Sequence, residues 1–485
     1  MLKLEDVLYG VQPVETRQMP FIPEALRTLA YREVVIDSRL AAPETLFVAL
    51  QGERVDGHSF IADAVKRGAC AALVLREKLT GLILEQAALV VDPATGAGLE
   101  LANPETLLLI AVDDPLGSLH RLASYHRGRF TPTVIGVTGS VGKTSTKEAT
   151  AAVLSRRYST LKNPRSYNSE STLPIVVLQL DSHHEVAVLE MGMYRPGDID
   201  LLARIARPSI GIVTNVGPSH MERVGSLDAI AASKAELLLA LPPDGHAILN
   251  IDDPMVAAMA HKTSAKPFFF GLDPAADLWA DEIESRGLEG ITFRAHHAGE
   301  SVVLNLPLIG KHSVHTALAA ASAGLLLGLG WDAIVDGLRD EVAQLRLLAV
   351  PGIHNTTLID DTYNASPASA LAALNLLSEL QGRRVAVIGD MLELGAAEEE
   401  AHRMVGARAA EVADIVVALG TRAQLAAQEA RAAGMAEEQV HEVTSSQEAT
   451  SLLKQIASAG DYILVKGSRA MFMDQIVADL QRRVD

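Results

Sequence analysis

The most constraining stretch of the chain is Gly136-Val137-Thr138-Gly139-Ser140-Val141-Gly142-Lys143-Thr144-Ser145. An apolar run, Val134–Val137, precedes it, and a helix-forming run begins at about Lys143. Glycines let the backbone approach a phosphate closely, and a helix start aims free N–H groups and a positive dipole end at it. Lys143 then reaches the β- and γ-phosphates, and Thr144 offers its hydroxyl to Mg²⁺. Such a loop requires a strand before it and a helix after it, so it also commits the surrounding chain to an α/β sheet. Gly-Lys-Thr alone occurs in ordinary turns; the flanking strand and helix carry the phosphate reading. The loop is a short form, since the general pattern places glycine where this chain has Val137.

The pattern around the loop agrees. Apolar strands are predicted at Val186–Leu189, Ile210–Thr214 and Ala247–Asn250, with helices between several of them. A second alternating block has strands at Thr357–Ile359, Val385–Ile388, Ile415–Ala418 and Tyr462–Val465. Its helices are about Ala368–Glu379, Glu398–Val412, Arg422–Ala433 and Arg469–Arg482. Strands alternating with helices give mostly parallel sheets covered on both faces. Before the loop, short β-type runs lie at Glu33–Ile36, Leu46–Ala49, Ala72–Leu75 and Ala88–Val91, with helical stretches near Ser59–Arg67 and over Leu116–Arg129. The expected fold is α/β with three domains: a small N-terminal α/β substrate domain (1–108), a central P-loop domain with a mostly parallel sheet (109–344), and a Rossmann-like C-terminal domain (345–485). A chain of 485 residues suits about three domains of ordinary size.

Composition removes several classes. The net charge is −18, with no basic tail, which argues against a nucleic-acid binder that works by neutralising phosphates. The single cysteine, Cys70, allows no disulfide within the chain and no cysteine zinc site; in Ala69-Cys70-Ala71-Ala72 it reads as a small buried residue. The start, Met1 to Asp6, has no signal-type apolar run. The longest uncharged apolar stretch, Thr316–Trp331, is 16 residues and falls short of the ~20 of a spanning helix, so it reads as one buried helix. The expected compartment is the cytoplasm, without membrane insertion.

Polar residues sit where predicted strands end: Glu190 after Val186–Leu189, and Asn215, then His220, after Ile210–Thr214. Ligands of open α/β sheets gather at carboxyl ends of strands, and a carboxylate there suits Mg²⁺. Taken alone, His220 reads as a loop histidine bonded locally. Lys234, in Ser233-Lys234-Ala235-Glu236, reads on spacing alone as a solvated helix lysine. The remaining histidines, His183-His184 and His296-His297 included, have no ligand-like spacing.

These segments together resemble the Mur ligase family, nearly end to end from about Asp37 to Gln475. The phosphate loop, Glu190-Met191-Gly192, Thr214 to His220 and Ser233 to Glu236 are the family's general signals. Asp37-Ser38-Arg39, Leu46 to His58, Asp360 to Pro367, Gly389 to Gly395 and Val465 to Ala470 are similar to the members that join D-alanyl-D-alanine to UDP-N-acetylmuramoyl-tripeptide in peptidoglycan precursor synthesis. The resemblance implies an ATP-dependent, ADP-forming ligase with an acyl-phosphate intermediate and two Mg²⁺ ions. It implies that Thr138 to Ser145 bind ATP, and that Thr144, Glu190, His220 and Lys234, the last as a carbamate formed with CO₂, are metal ligands. Arg346, Asp361, Tyr363 and Asn364 are implied on ATP. Ser38, Arg39 and Asn168 are implied on the UDP-linked substrate, and Lys466, Ser468 and Arg469 near the dipeptide. The protein is expected to be a monomer. Two departures stand out: His312-Ser313-Val314-His315-Thr316 lacks two amides that the family often has at Ser313 and Thr316, and Ser169 replaces a commoner asparagine. Other Mur-type amino-acid ligases and folylpolyglutamate synthetase share the loop and the three-domain logic. A nucleotide-binding module without ligase chemistry is the reading from another class, and Glu190, His220 and Lys234 argue against it.

Overall fold

The computed structural model describes residues 1–52, 55–218, 221–340 and 348–482. The chain forms two compact units that do not follow chain order. The first holds Met1–Val134, Leu161–Met191 and Asp198–Pro208; the second holds Ile135–Thr160, Gly192–Gly197 and the described chain from Ser209 onward.

The first unit is built on a parallel sheet of β1 (Glu33–Val35), β2 (Thr45–Val48), β3 (Ala69–Leu75), β4 (Ala88–Val91) and β5 (Leu107–Val112), in the order β1-β2-β3-β5-β4. β5 was not among the predicted strands. Its Leu-Leu-Leu-Ile-Ala-Val run is buried throughout, as a strand covered on both faces is; without alternation it gives no period to read. The helix α1 (Pro115–Arg127) starts at Asp114, whose carboxylate accepts from Gly117 N at 3.0 Å, with proline in the first turn. It stops at Arg127, before the predicted Arg129. The buried Arg127 guanidinium donates to the carbonyls of Ala206 (2.7 Å) and Phe130 (2.7 Å), which ties the Asp198–Pro208 segment to this unit.

β6 (Thr133–Thr138), in the second unit from Ile135 onward, leads through the glycine loop into α2 (Lys143–Leu154). After them come β7 (Val186–Glu190, in the first unit), β8 (Ile210–Val213), α3 (Leu227–Leu239), β9 (His246–Asn250), β10 (Lys266–Gly271), β11 (Leu278–Ser285), β12 (Ile291–His297), β13 (Glu300–Leu306) and α4 (Ser313–Leu326). The second unit's central sheet runs β13-β12-β11-β10-β9-β8-β6. It is parallel from β6 to β11 and antiparallel across β11, β12 and β13. The strands β10 to β13 were not predicted. β11, β12 and the end of β13 tend to alternate buried with more exposed residues, with charges on the open face of β11 and β12, so they lack the apolar runs that marked the buried strands, whereas β10 holds the short run Phe268-Phe269-Phe270 that the reading passed over. The apolar stretch Thr316–Trp331 is not one helix: α4 ends at Leu326, Gly328 turns left-handed at φ +76°, and a new helix starts at Trp331.

The rest of this unit carries β14 (Leu348–Pro351), β15 (Thr357–Asp361), α5 (Pro367–Glu379), β16 (Arg384–Gly389), α6 (Glu398–Val412), β17 (Ile415–Leu419), α7 (Gln424–Ala432), β18 (Val440–Val443), α8 (Ser446–Ile456), β19 (Tyr462–Lys466) and α9 (Asp474–Leu480). The sheet order is β14-β15-β19-β16-β17-β18, parallel except for β14. Val385 and Val387 enter one apolar cluster and Ala386 and Ile388 another, so both faces are covered, the doubly wound arrangement expected. The predicted helix Arg469–Arg482 is broken, because Phe472 is left-handed at φ +51° between a 3₁₀ turn, Arg469–Met471, and α9. Among the described residues no helix is long and apolar enough to cross a membrane.

Candidate functional site

The glycine loop lies at the carboxyl end of β6, and a second segment holds it. Beyond β8, Thr214 to Gly217 runs alongside: Val141 N donates to Asn215 Oδ1 (2.8 Å), Asn215 Nδ2 donates to Val141 O (2.9 Å), and Thr214 Oγ1 donates to the same carbonyl (2.7 Å). Ser140 N donates to Asn215 O (3.0 Å), and Gly217 N donates to Ser140 Oγ (2.9 Å). A Cβ on Gly139 would overlap Thr214 Oγ1, so glycine there is what allows the two segments to touch. Gly142 stands left-handed at the start of α2, which has no side-chain cap, and the space beside its Cα is open. A helix start left uncapped beside open space is where an anion fits. Lys143 Nζ donates to Gly139 O (2.7 Å) and Ser140 O (3.2 Å), and Thr144 is buried in the first helical turn.

The clamp itself is held from β9. Asn250 Nδ2 donates to Thr214 O (2.9 Å), and Val216 N donates to Asp253 Oδ2 (2.7 Å). Asp252 accepts from Leu272 N (2.7 Å) and from His315 Nε2 (2.7 Å). Burial opposes its ionisation, but donation from His315 and the backbone outweighs that and lowers its pKa. Sequence reading named Asn215 only as a strand end and missed Asn250 and Asp253; polar residues just past a strand were the available signal. Asn215→Ala would leave the Val141 N–H and C=O short of their amide partner. About 1–3 kcal/mol of stability should be lost, read by urea unfolding, and an unchanged midpoint would deny the clamp any weight.

Lys234 is not a solvated helix lysine. It lies on α3 with 2% of its surface exposed. Burial, and then the nearby positive charge of Lys143, push its pKa well below the ordinary lysine value. Two ammonium groups held near one another in a buried setting favour a neutral amine on one of them or an anion between them.

At the carboxyl ends of the C-terminal strands, β15 and β19 pair Asp361 with Lys466. Lys466, 1% exposed, donates to Asp361 Oδ2 (2.6 Å) and to Asn364 O (3.0 Å). The Arg469 guanidinium lies 5.4 Å from the Tyr363 ring centre. Ser468 Oγ accepts from Leu392 N (2.9 Å). Residues expected on two different ligands are therefore one cluster.

The first unit places Glu190 at the end of β7, buried, with Asn168 Nδ2 donating to Oε1 at 2.6 Å. Asn163, which sequence reading missed, holds the Glu190 backbone at both N–H and C=O, 3.0 Å each. Ser38 donates to Asp63 Oδ2 (2.7 Å), and Arg39 is gripped by its neighbour Asp37. His220 and Arg346 lie outside the described residues.

A parallel sheet with an anion cradle at its carboxyl edge, followed by a doubly wound sheet, defines a P-loop α/β protein. Three family models match in succession: Mur ligase family, catalytic domain, over residues 30–127; Mur ligase middle domain over 137–324; and Mur ligase, glutamate ligase domain, over 345–469. The UDP-N-acetylmuramoyl-tripeptide–D-alanyl-D-alanine ligase of Bacillus subtilis is 35% identical over 452 residues, 92% of each chain. Among solved structures, MurF from Acinetobacter baumannii superposes with a TM-score of 0.79 at 29% identity, covering 99% of this chain and 98% of its own. The MurF ligase of Thermotoga maritima in complex with ADP gives 0.73 at 27% identity, over 93% and 97%. The chain belongs to the Mur ligase family, and its three α/β domains are those of that family.

Proposed function

We propose that this chain is the ADP-forming ligase that adds D-alanyl-D-alanine to UDP-N-acetylmuramoyl-tripeptide in peptidoglycan precursor synthesis. The observation that carries the reading is end-to-end similarity, at 35% identity over 92% of both chains, to a relative bearing that name. The cradle and the buried lysine supply chemistry that fits it. Residues 1–108 are read as the UDP-sugar domain, 109–344 as the ATP domain and 345–485 as the Rossmann-like domain of a cytoplasmic monomer.

An amide does not form from a carboxylate directly, because oxide is no leaving group. The γ-phosphoryl group of ATP therefore passes to the terminal carboxylate of the tripeptide, giving ADP and an acyl phosphate. The free amine of the dipeptide attacks the acyl carbon, phosphate leaves, and the nitrogen gives up a proton. Thr138 to Ser145 bind the ATP phosphates, and the Lys143 ammonium offsets charge on the transferring group. Thr144, Glu190, His220 and a carbamate on Lys234 are the residues that would hold Mg²⁺. Bound Mg²⁺ supplies positive charge against the repulsion of carboxylate and phosphate. Asp361, Tyr363, Asn364 and Arg346 are read on ATP, with Lys466 fixing Asp361. Ser38, Arg39 and Asn168 are read on the UDP-linked substrate, and Ser468 and Arg469 near the dipeptide.

A coupled ADP-release assay tests the reading. UDP-N-acetylmuramoyl-tripeptide with D-alanyl-D-alanine should give turnover that depends on both, and single amino acids should not replace the dipeptide. Activity confined to glutamate and a folate would transfer the chain to the folate branch.

A further inference from the structure

The segment Gly389 to Gly395 was singled out by its resemblance, yet the reaction above gives its second half no task. Its place in the fold does. Gly395 opens a 3₁₀ turn, Gly395–Ala397, that rests on the short helix Met221–Val224 of the central sheet region. Gly395 stands left-handed at φ +55°, and a Cβ there would come within 3.1 Å of both Glu222 Cα and Glu222 N. Any larger residue would push the two backbones apart. Glu222 N donates to Glu393 O at 3.5 Å. Glu393 is itself left-handed at φ +64°, and its carboxylate lies 4.0 Å from the Arg223 guanidinium, which lies 5.4 Å from the Tyr194 ring centre. These groups are long, weak and half-exposed.

A second junction between the same two sheet regions is of the opposite kind. Leu288 and Ile309, from the central region, pack against the apolar cluster of α5, β16 and α6. A Cβ on Gly287 would meet Leu380 at 3.1 Å, and Ser285 is hydrogen-bonded to Glu379. Apolar burial holds without directional partners, whereas exposed charge pairs contribute little and exchange readily with water.

We infer that Glu393 and Gly395 form a releasable latch on helix Met221–Val224, while Leu288 and Ile309 form the permanent pivot between the C-terminal sheet and the central one. Latching brings the Asp361–Lys466 cluster to its working position and steadies the helix Met221–Val224. Glu393 and Gly395 are thus positioning residues that touch no substrate. The kinetic half of this inference rests on the ligase reading; the structural half does not.

The test is hydrogen–deuterium exchange on the full chain, read over residues 221–227, together with the kinetics of ADP release. Gly395→Val should speed exchange of that peptide at least tenfold, Glu393→Ala, which removes only the exposed ion pair, about two- to fivefold, and both should leave exchange of β6 and β9 unchanged. The kcat should fall at least fivefold in Gly395→Val and about two- to fivefold in Glu393→Ala, with KM for D-alanyl-D-alanine within twofold of wild type in both. Should Gly395→Val unfold the chain, Glu393→Ala carries the test, since its side chain is 36% exposed. Wild-type exchange at 221–227 overturns the latch, and so does faster exchange with an unchanged kcat. Absence of turnover in the wild-type chain with these substrates would instead count against the ligase reading, while the exchange result would still decide the latch.

Discussion

Lys143→Ala is expected to lower ADP release by about a hundred- to a thousandfold, the usual loss when one charge-stabilising donor is removed from a transition state. The lysine stands at the first position of α2, and its ammonium is already folded back over the loop, on the carbonyls of Gly139 and Ser140. A phosphoryl group in transfer spreads negative charge over its oxygens, and a fixed cation there acts mainly on the transition state. The fold should survive, because besides the lysine's own bonds the loop is held by the amide of Asn215 and the hydroxyls of Thr214 and Ser140. The melting temperature should move by less than about 4 °C, the equivalent of under about 1 kcal/mol. Turnover at the wild-type rate would remove the cradle from the chemistry.

Lys234→Met should also abolish activity, by about a hundredfold or more on the scale of a lost charged group, but with the opposite signature in stability. Burying a lysine in the neutral form costs free energy whenever the unfolded chain would hold the proton. The unfolded lysine holds its proton up to about pH 10, whereas the folded one, its pKa depressed by burial and by Lys143, releases it at much lower pH. Between those two values the unfolded state binds more protons, so stability rises with pH through that window. Methionine removes the ionisable group, so that pH dependence should flatten and the CO₂-free variant should melt no lower than wild type. The same neutral amine explains the proposed modification. Its nitrogen bonds to the carbon of CO₂ and loses one proton, and the cation becomes an anionic oxygen ligand. Activity should therefore fall on removal of CO₂ and return with bicarbonate in the wild-type chain alone. A variant that keeps the wild-type rate would reject the carbamate, and one that melts several degrees lower would reject the account of the buried amine.

Some of this was written plainly in the residues. Val134–Val137, the glycines and Lys143 predicted a strand, a turn and a helix, and the structure has them at Thr133–Thr138 and Lys143–Leu154. Local chemistry is nearly sufficient there: an apolar run and glycines tolerant of unusual backbone angles are followed by a helix whose first turn, Lys143 to Thr146, is weak in propensity but whose later residues, Lys147 to Leu154, include several strong helix formers. β5 and the strands β10 to β13 were not legible. The first has no alternation, β10 offers only the short run Phe268–Phe270 after a proline, and β11 and β12 carry charges on an open face, so each became a strand only through its neighbours.

The sequence by itself determined the phosphate loop, the alternation of strands and helices and the family, because these depend on short-range order along the chain. Tertiary structure decided the environments. It buried Lys234, which spacing assigned to solvent, and it paired Asp361 with Lys466 across adjacent strands 105 positions apart in the chain. It also set Gly395 against Glu222. A side chain's charge state and partners depend on what surrounds it in space, and nothing in the local order of residues records that.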